Sequence, residues 1–151
     1  YVLKNNLDKN VHFIGWRSDV RDVLAKSDIY VSSSYSESLP DAVRDAMLAS
    51  LPLVVTDVGG TSELVDIGEN GYLFKPGDVV DLTKFLQELI LDLDLREKMG
   101  LKSRKNHSTA WPKQTASSTI GPTNIKPRTS GTNATLKPWP WPLAIDCHLF
   151  H

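Results

Sequence analysis

The chain predicts an α/β domain: a parallel sheet with helices on both faces, followed by a C-terminal stretch expected to be disordered. Three observations carry this expectation. Strand-type and helix-type patterns alternate from residue 11 to residue 104. PLVVTD at 52–57 is a continuous apolar run, as a parallel strand covered on both faces requires. Beyond residue 105 no period of 2 or 3.6 remains.

Taken in order, VHFIG at 11–15 is a short β-type run closed by glycine. In SDVRDVLAKS, Val20, Val23 and Leu24 recur at helical spacing behind Ser18, which is suited to cap the helix. DIYVSSS at 28–34 predicts a second strand. Pro40 falls in the first turn of the next helix, where its missing N–H costs nothing. Ala42, Val43, Ala46, Met47 and Ala49 then make a small-residue face that lets this helix lie close on a sheet. After the strand at 52–57, VGGTSE turns into a short helix near 62–66, and GYLFKP at 71–76 predicts a fourth strand. Asp78 suits the cap of a helix with Leu82, Phe85, Leu86, Leu89 and Ile90 on one side. A charged helix follows in DLREKMGLKSRK, and helical order is expected to fade near Lys105.

With 151 residues, 40% hydrophobic and 23% charged, the chain suffices for one domain with a buried core. One cysteine, Cys147, excludes an internal disulfide, and His12, His107, His148 and His151 lack metal-ligand spacing, so no metal is expected. The first ten residues lack the basic-then-apolar order of a signal peptide. No apolar run approaches the roughly 20 residues of a membrane helix. A cytoplasmic protein with no membrane segment of its own is the expectation.

The charge is divided unevenly. Residues 1–105 hold 13 Lys and Arg against 17 Asp and Glu, and residues 106–151 hold 4 against 1. The second region also carries six of the nine prolines and three of the four tryptophans, as in LKPWPWPL. It therefore reads as a distinct low-order tail, 106–151, of frameshifted or foreign origin, beside a folded domain at 1–105. Four scattered cations without an Arg-rich run do not make a nucleic-acid surface.

In parallel sheets of this kind the ligand lies beyond the carboxyl ends of the strands. Two loops leave such ends and enter helix starts: SYSESLP before residue 40, and VGGTSE. Backbone N–H groups and the positive end of a helix dipole make each an anion site, and side by side they would cradle a diphosphate. Gly59 and Gly60 leave room for a close approach, although a lone glycine pair reads as simply as a tight turn. Glu37 is more informative, because an ionised carboxylate only accepts hydrogen bonds and so suits the hydroxyls of a sugar rather than an anion. Asp45, eight positions on, would grip vicinal hydroxyls such as those of a ribose. Either carboxylate alone would also read as a solvated helix charge. A nicotinamide-binding or phosphate-loop domain is disfavoured, since neither G-x-G-x-x-G nor G-x-x-x-x-G-K-[ST] is present.

The string from VHFIGWRSDV through SYSESLPDAVRDAMLASLPLVVTDVGGTSELVDIGENGYLFKPGD resembles the donor-binding half of the family-four retaining glycosyltransferases, over about residues 1–105. The resemblance implies a Rossmann-like domain that is one half of a GT-B fold. It also implies transfer of a hexose from a nucleotide diphosphate sugar to an acceptor hydroxyl, with no cofactor beyond that donor. Two carboxylates separated by seven residues flank the donor in that family. Glu37 matches the first, which contacts the transferred sugar and is the candidate catalytic residue. Ser38, Leu39 and Pro40 match the turn whose amides meet sugar or phosphate, and Asp45 stands where a second Glu holds the ribose. Gly15 and Trp16 would border the nucleobase.

The sequence departs from the pattern in three places within this segment. Asp45 is one methylene shorter than Glu, Ser38 replaces a glycine and would be strained at positive φ, and Ser50 replaces a glycine that often ends the helix. The family's acceptor-binding N-terminal domain and its diphosphate-neutralising Arg and Lys lie outside the aligned region. The chain alone is therefore expected to be an inactive fragment of an enzyme that is cytoplasmic or peripheral to a membrane. A non-catalytic nucleotide-sugar-binding module and an inactive truncated product are the rival readings.

Overall fold

The computed structural model describes residues 1–38, 40–110 and 145–146. Strands β1 (Tyr30–Ser32), β2 (Leu53–Thr56) and β3 (Gly71–Phe74) pair in parallel in the order β3-β2-β1. Ile145–Asp146 (β4) continues the sheet, parallel to β1. The helices are α1 (Val20–Leu24), α2 (Asp41–Leu48), α3 (Val79–Leu91) and α4 (Leu93–Ala110). Short 3-10 helices span Leu3–Asn5 and Gly59–Glu63.

Strand β2 shows why an unbroken apolar run is needed. All four of its residues are buried, and successive side chains point to opposite faces. Leu53 and Val55 join Tyr30, Leu24 of α1 and Val43, Ala46 and Met47 of α2 in one cluster. Val54 joins Ile29, Val31, Tyr72, Phe74, Leu89 of α3 and Met99 of α4 in the other. Helices therefore cover both faces, as the sequence predicts. Each fully buried aliphatic side chain contributes roughly 1.5–3 kcal/mol.

The caps follow local chemistry. The Asp78 carboxylate accepts from the N–H groups of Val80 and Asp81, so α3 begins where the sequence predicts. Arg96 of α4 donates to the Leu89 and Ile90 carbonyls at the other end of α3. Buried Asn70 ties down the approach to β3: its Oδ1 accepts from the Asp66 N–H at 2.7 Å and its Nδ2 donates to the Leu64 carbonyl at 3.0 Å. Helix α4 locks onto the same corner through Ser103 to the Asn70 carbonyl and Asn106 to Asp66.

Several expectations are corrected. Residues 11–15 form no strand, and His12, Phe13, Ile14 and Gly15 are exposed. Intrinsic β preference stabilises a strand only where a neighbour pairs with it, and β1 pairs instead with β2 and β4. Ser18 caps nothing, because α1 starts after Asp19, whose carboxylate is taken by Arg17 at 2.7 Å. Pro40 is the residue before α2 rather than within its first turn. The helix expected near 62–66 is a tighter 3-10 turn that begins at Gly59. Helix α4 runs past Lys105 to Ala110. Residues 106–110, expected to open a low-order tail, are therefore helical, and apart from these and Ile145–Asp146 the expected disorder of the tail concerns residues outside the described ones.

Ser50, just beyond α2, has a φ of 61°, a conformation that favours glycine. Its carbonyl also lies 2.1 Å from where a Cβ on Gly100 would sit, so α4 reaches α2 only because residue 100 has no side chain. Ser50→Gly should raise the unfolding free energy by about 1 kcal/mol, and Gly100→Ala should lower it by about 1–3 kcal/mol despite alanine's better helix propensity. Urea denaturation of the two variants checks both signs.

Candidate functional site

Because β1, β2 and β3 are parallel neighbours, the loops leaving their carboxyl ends lie side by side. The loop after β1 carries Glu37, the loop after β2 carries Gly59 and Gly60, and the loop after β3 carries Lys75 and Gly77. They interlock. A Cβ on Gly59 would lie 1.7 Å from the Glu37 carbonyl oxygen, and Gly59 has a φ of 53°. A Cβ on Gly60 would lie 3.7 Å from Pro40 Cδ. The Tyr35 hydroxyl lies 3.8 Å from the Cβ position of Gly77. The glycine at 59 thus makes a turn and also admits the backbone of the Glu37 loop.

Buried threonines tie the loops to the sheet. Thr56 Oγ1 donates to the Ser34 carbonyl at 2.7 Å. Thr61 Oγ1 lies 2.7 Å from both the Thr56 and Val58 carbonyls and accepts from the Val58 N–H at 3.0 Å. Both threonines are 1% exposed. Glu37 is half-buried, and its Oε1 accepts from Ser34 Oγ at 2.7 Å. At Pro40, α2 has no side-chain cap hydrogen bond, which leaves its first N–H groups to an incoming acceptor. The second helix start is weaker than expected, since a five-residue 3-10 helix sums few peptide dipoles.

The structure brings Glu37, Pro40, Gly59 and Gly60 together. Ser38 sits beside them, exposed, and has no positive φ, so the strain anticipated from replacing glycine there is absent. Leu39 lies outside the described residues. Asp45 lies more than a turn into α2, with its Oδ1 3.6 Å from Nε of Arg21 in α1. Such a half-exposed pair is worth little on its own. Gly15 has a φ of 63° with open space around it, and Trp16 is 91% exposed. Among the described residues, no hydrogen bond or ring contact joins Trp16 to the Glu37 loop.

Sequence reasoning missed Ser34, Thr56 and Thr61. Their signal was hydroxyl residues at the ends of apolar strands, where burial demands partners. It also missed His107 of α4, which faces the Asp45 region. Burial, with help from the Arg44 and Arg104 cations and against the pull of Asp45, pushes this imidazole below its ordinary value of 6.5. No helix among the described residues is long and apolar enough to cross a membrane, and no group of three or more His, Cys, Asp or Glu is placed to hold a metal.

Residues 1–106 match the glycosyl transferases group 1 family, and the chain belongs to it. It is 31% identical over 106 residues to N-acetyl-alpha-D-glucosaminyl L-malate synthase of Bacillus anthracis, covering 70% of this chain and 28% of that protein. Among solved structures, Anabaena Alr3699/HepE in complex with UDP-glucose is 28% identical with a TM-score of 0.68, over 72% of this chain and 30% of that one. The C-terminal domain of the group 1 family protein LpcC from Francisella tularensis is 27% identical with a TM-score of 0.64, over 72% of this chain and 57% of that one. The fold is the Rossmann-like half of a GT-B glycosyltransferase. The chain spans less than a third of the length of the curated relatives it matches first.

Gly59→Ala should cost about 2–4 kcal/mol of stability, from the carbonyl overlap and the positive φ together, while Gly60→Ala stays within about 1 kcal/mol. Chemical denaturation compares the two. For His107 the lowered native value means that the unfolded chain takes up the proton first, so stability declines as pH falls below the ordinary 6.5. His107→Gln should flatten that decline, read as the urea midpoint between about pH 5.5 and 7.5.

Proposed function

We propose that this chain is the donor-binding half of a retaining glycosyltransferase, holding a nucleotide diphosphate sugar at the carboxyl ends of β1 and β2. The observation that carries the reading is the interlock of the Glu37 loop with Gly59 and Gly60. It joins the loop that carries an acceptor-only carboxylate to the turn beside Pro40, where the uncapped α2 begins. A carboxylate there fixes sugar hydroxyls, and the helix start receives phosphate oxygens. The structural relative crystallised with UDP and with UDP-glucose supports a donor of this class.

In this reading Glu37 orients the transferred sugar and supports the positive charge that builds at its anomeric carbon as the bond to the diphosphate breaks. The backbone N–H groups of Ser38 and Leu39, in the turn that Pro40 closes, receive sugar or phosphate oxygens, since proline itself has no N–H to give. Asp45 exchanges Arg21 for the ribose hydroxyls, which its short side chain reaches less fully than a glutamate would. Gly15 and Trp16 border the base. The nucleotide sugar is the donor, and the reading assigns no resident cofactor or metal. The acceptor is bound by a second domain outside this chain, and the present chain alone binds donor without transferring it.

Isothermal titration of the chain with UDP-glucose and UDP tests this. Saturable binding of UDP-glucose is expected. Glu37→Gln should weaken UDP-glucose by about tenfold and leave UDP nearly unchanged, because only the sugar meets that carboxylate. Asp45→Ala should weaken both ligands alike, since both carry the ribose. A folded chain that binds neither nucleotide would instead identify an inactive product.

A further inference from the structure

We infer that Ser34 is the positioning residue of Glu37, the last link of a hydroxyl chain that runs from Ser32 inside β1 to the carboxylate. The inference rests on the donor-site reading for its functional consequence, but its geometry stands apart from it. Ser34 Oγ lies 2.7 Å from Glu37 Oε1, and Ser32 Oγ lies 3.3 Å from Ser34 Oγ.

Proton inventory sets the direction of this chain. An ionised carboxylate can only accept, so Ser34 donates to Glu37, and a hydroxyl has one proton to give. Ser32 must therefore donate to Ser34. Each bond in such a row polarises the next, so Ser34 is a better donor than an isolated serine.

The frame behind the chain is rigid. Ser32 is 6% exposed and sits in register with Val55 of β2. The main chain of Ser34 is held by buried Thr56, whose own carbonyl accepts from Thr61. Ser34 is thus anchored through its side chain to β1 and through its carbonyl to β2. A glutamate side chain has three free torsions, and a bond to one oxygen from this frame limits them before any ligand arrives. Among the described residues Oε1 is the engaged oxygen, and Oε2 is the one that meets the sugar. Neighbouring Ser33 is exposed and takes no part, so it serves as an internal control.

The test uses the whole chain and two readouts. The first is NMR of the Glu37 side-chain couplings without ligand. The second is titration with UDP-glucose and UDP. In Ser34→Ala the couplings should average over rotamers, UDP-glucose affinity should fall by about 5–10-fold, and UDP affinity should change by less than about twofold. Ser34→Thr, which keeps the hydroxyl, and Ser33→Ala should both resemble the unsubstituted chain. Fixed couplings in Ser34→Ala would overturn the inference, as would equal losses for the two ligands or an unchanged UDP-glucose affinity where Glu37→Gln weakens it. Averaged couplings in Ser34→Ala, with no nucleotide bound by the unsubstituted chain, would uphold the positioning role and reject the donor site.

Discussion

The peptide carbonyl of Glu37 occupies the space where any residue but glycine at position 59 would carry its Cβ. That single close approach joins the loop after β1 to the loop after β2. Around it the hydroxyls of Thr56 and Thr61 turn two strand ends into one hydrogen-bonded unit. A site built this way is stiff without a disulfide or a metal, because its parts are backbone and short buried side chains whose polar atoms have partners. It is also intolerant: the space between the loops is set by a missing methyl group.

The sheet supplies the alignment that makes this approach available. Parallel pairing in register, Tyr30 with Leu53 and Leu53 with Gly71, brings three carboxyl ends level with one another. Two separate apolar clusters hold the sheet from both faces, so the loops emerge from a layer packed on both sides. The same economy of space recurs away from the site, where Gly100 lets α4 settle against the carbonyl of Ser50. Close backbone contact at glycine is how this small domain brings its elements together.

Electrostatically the site is mixed. Glu37 is held by one neutral hydroxyl donor, Ser34, whereas Asp45 is paired with the Arg21 cation and lies near the imidazole of His107. A carboxylate held only by neutral donors keeps its full charge for a ligand, and one held by a cation gives part of it up. The two acidic groups that sequence spacing treats as a matched pair therefore differ in their surroundings. The chain is a member of the glycosyl transferases group 1 family and spans under a third of the length of the curated relatives it matches first.

Much was legible in the residues alone. The apolar run at 52–57 announced a doubly covered strand, Asp78 announced the start of α3, and the Glu37-to-Gly60 segment announced two loops lying side by side at the carboxyl strand ends, because side-chain period and cap chemistry are local properties. The family resemblance marked Ser50 as standing in a glycine's place, and its φ of 61° bears that out. The strand expected at 11–15 failed because pairing depends on a neighbour, which no local pattern specifies. Ser34, Thr56 and Thr61 escaped notice because a hydroxyl declares its role only through its partner, and these partners lie on another strand or across a turn. What Gly59 makes room for, and which cation Asp45 meets, were decided by the packing of distant segments against one another, and only the tertiary structure contains that.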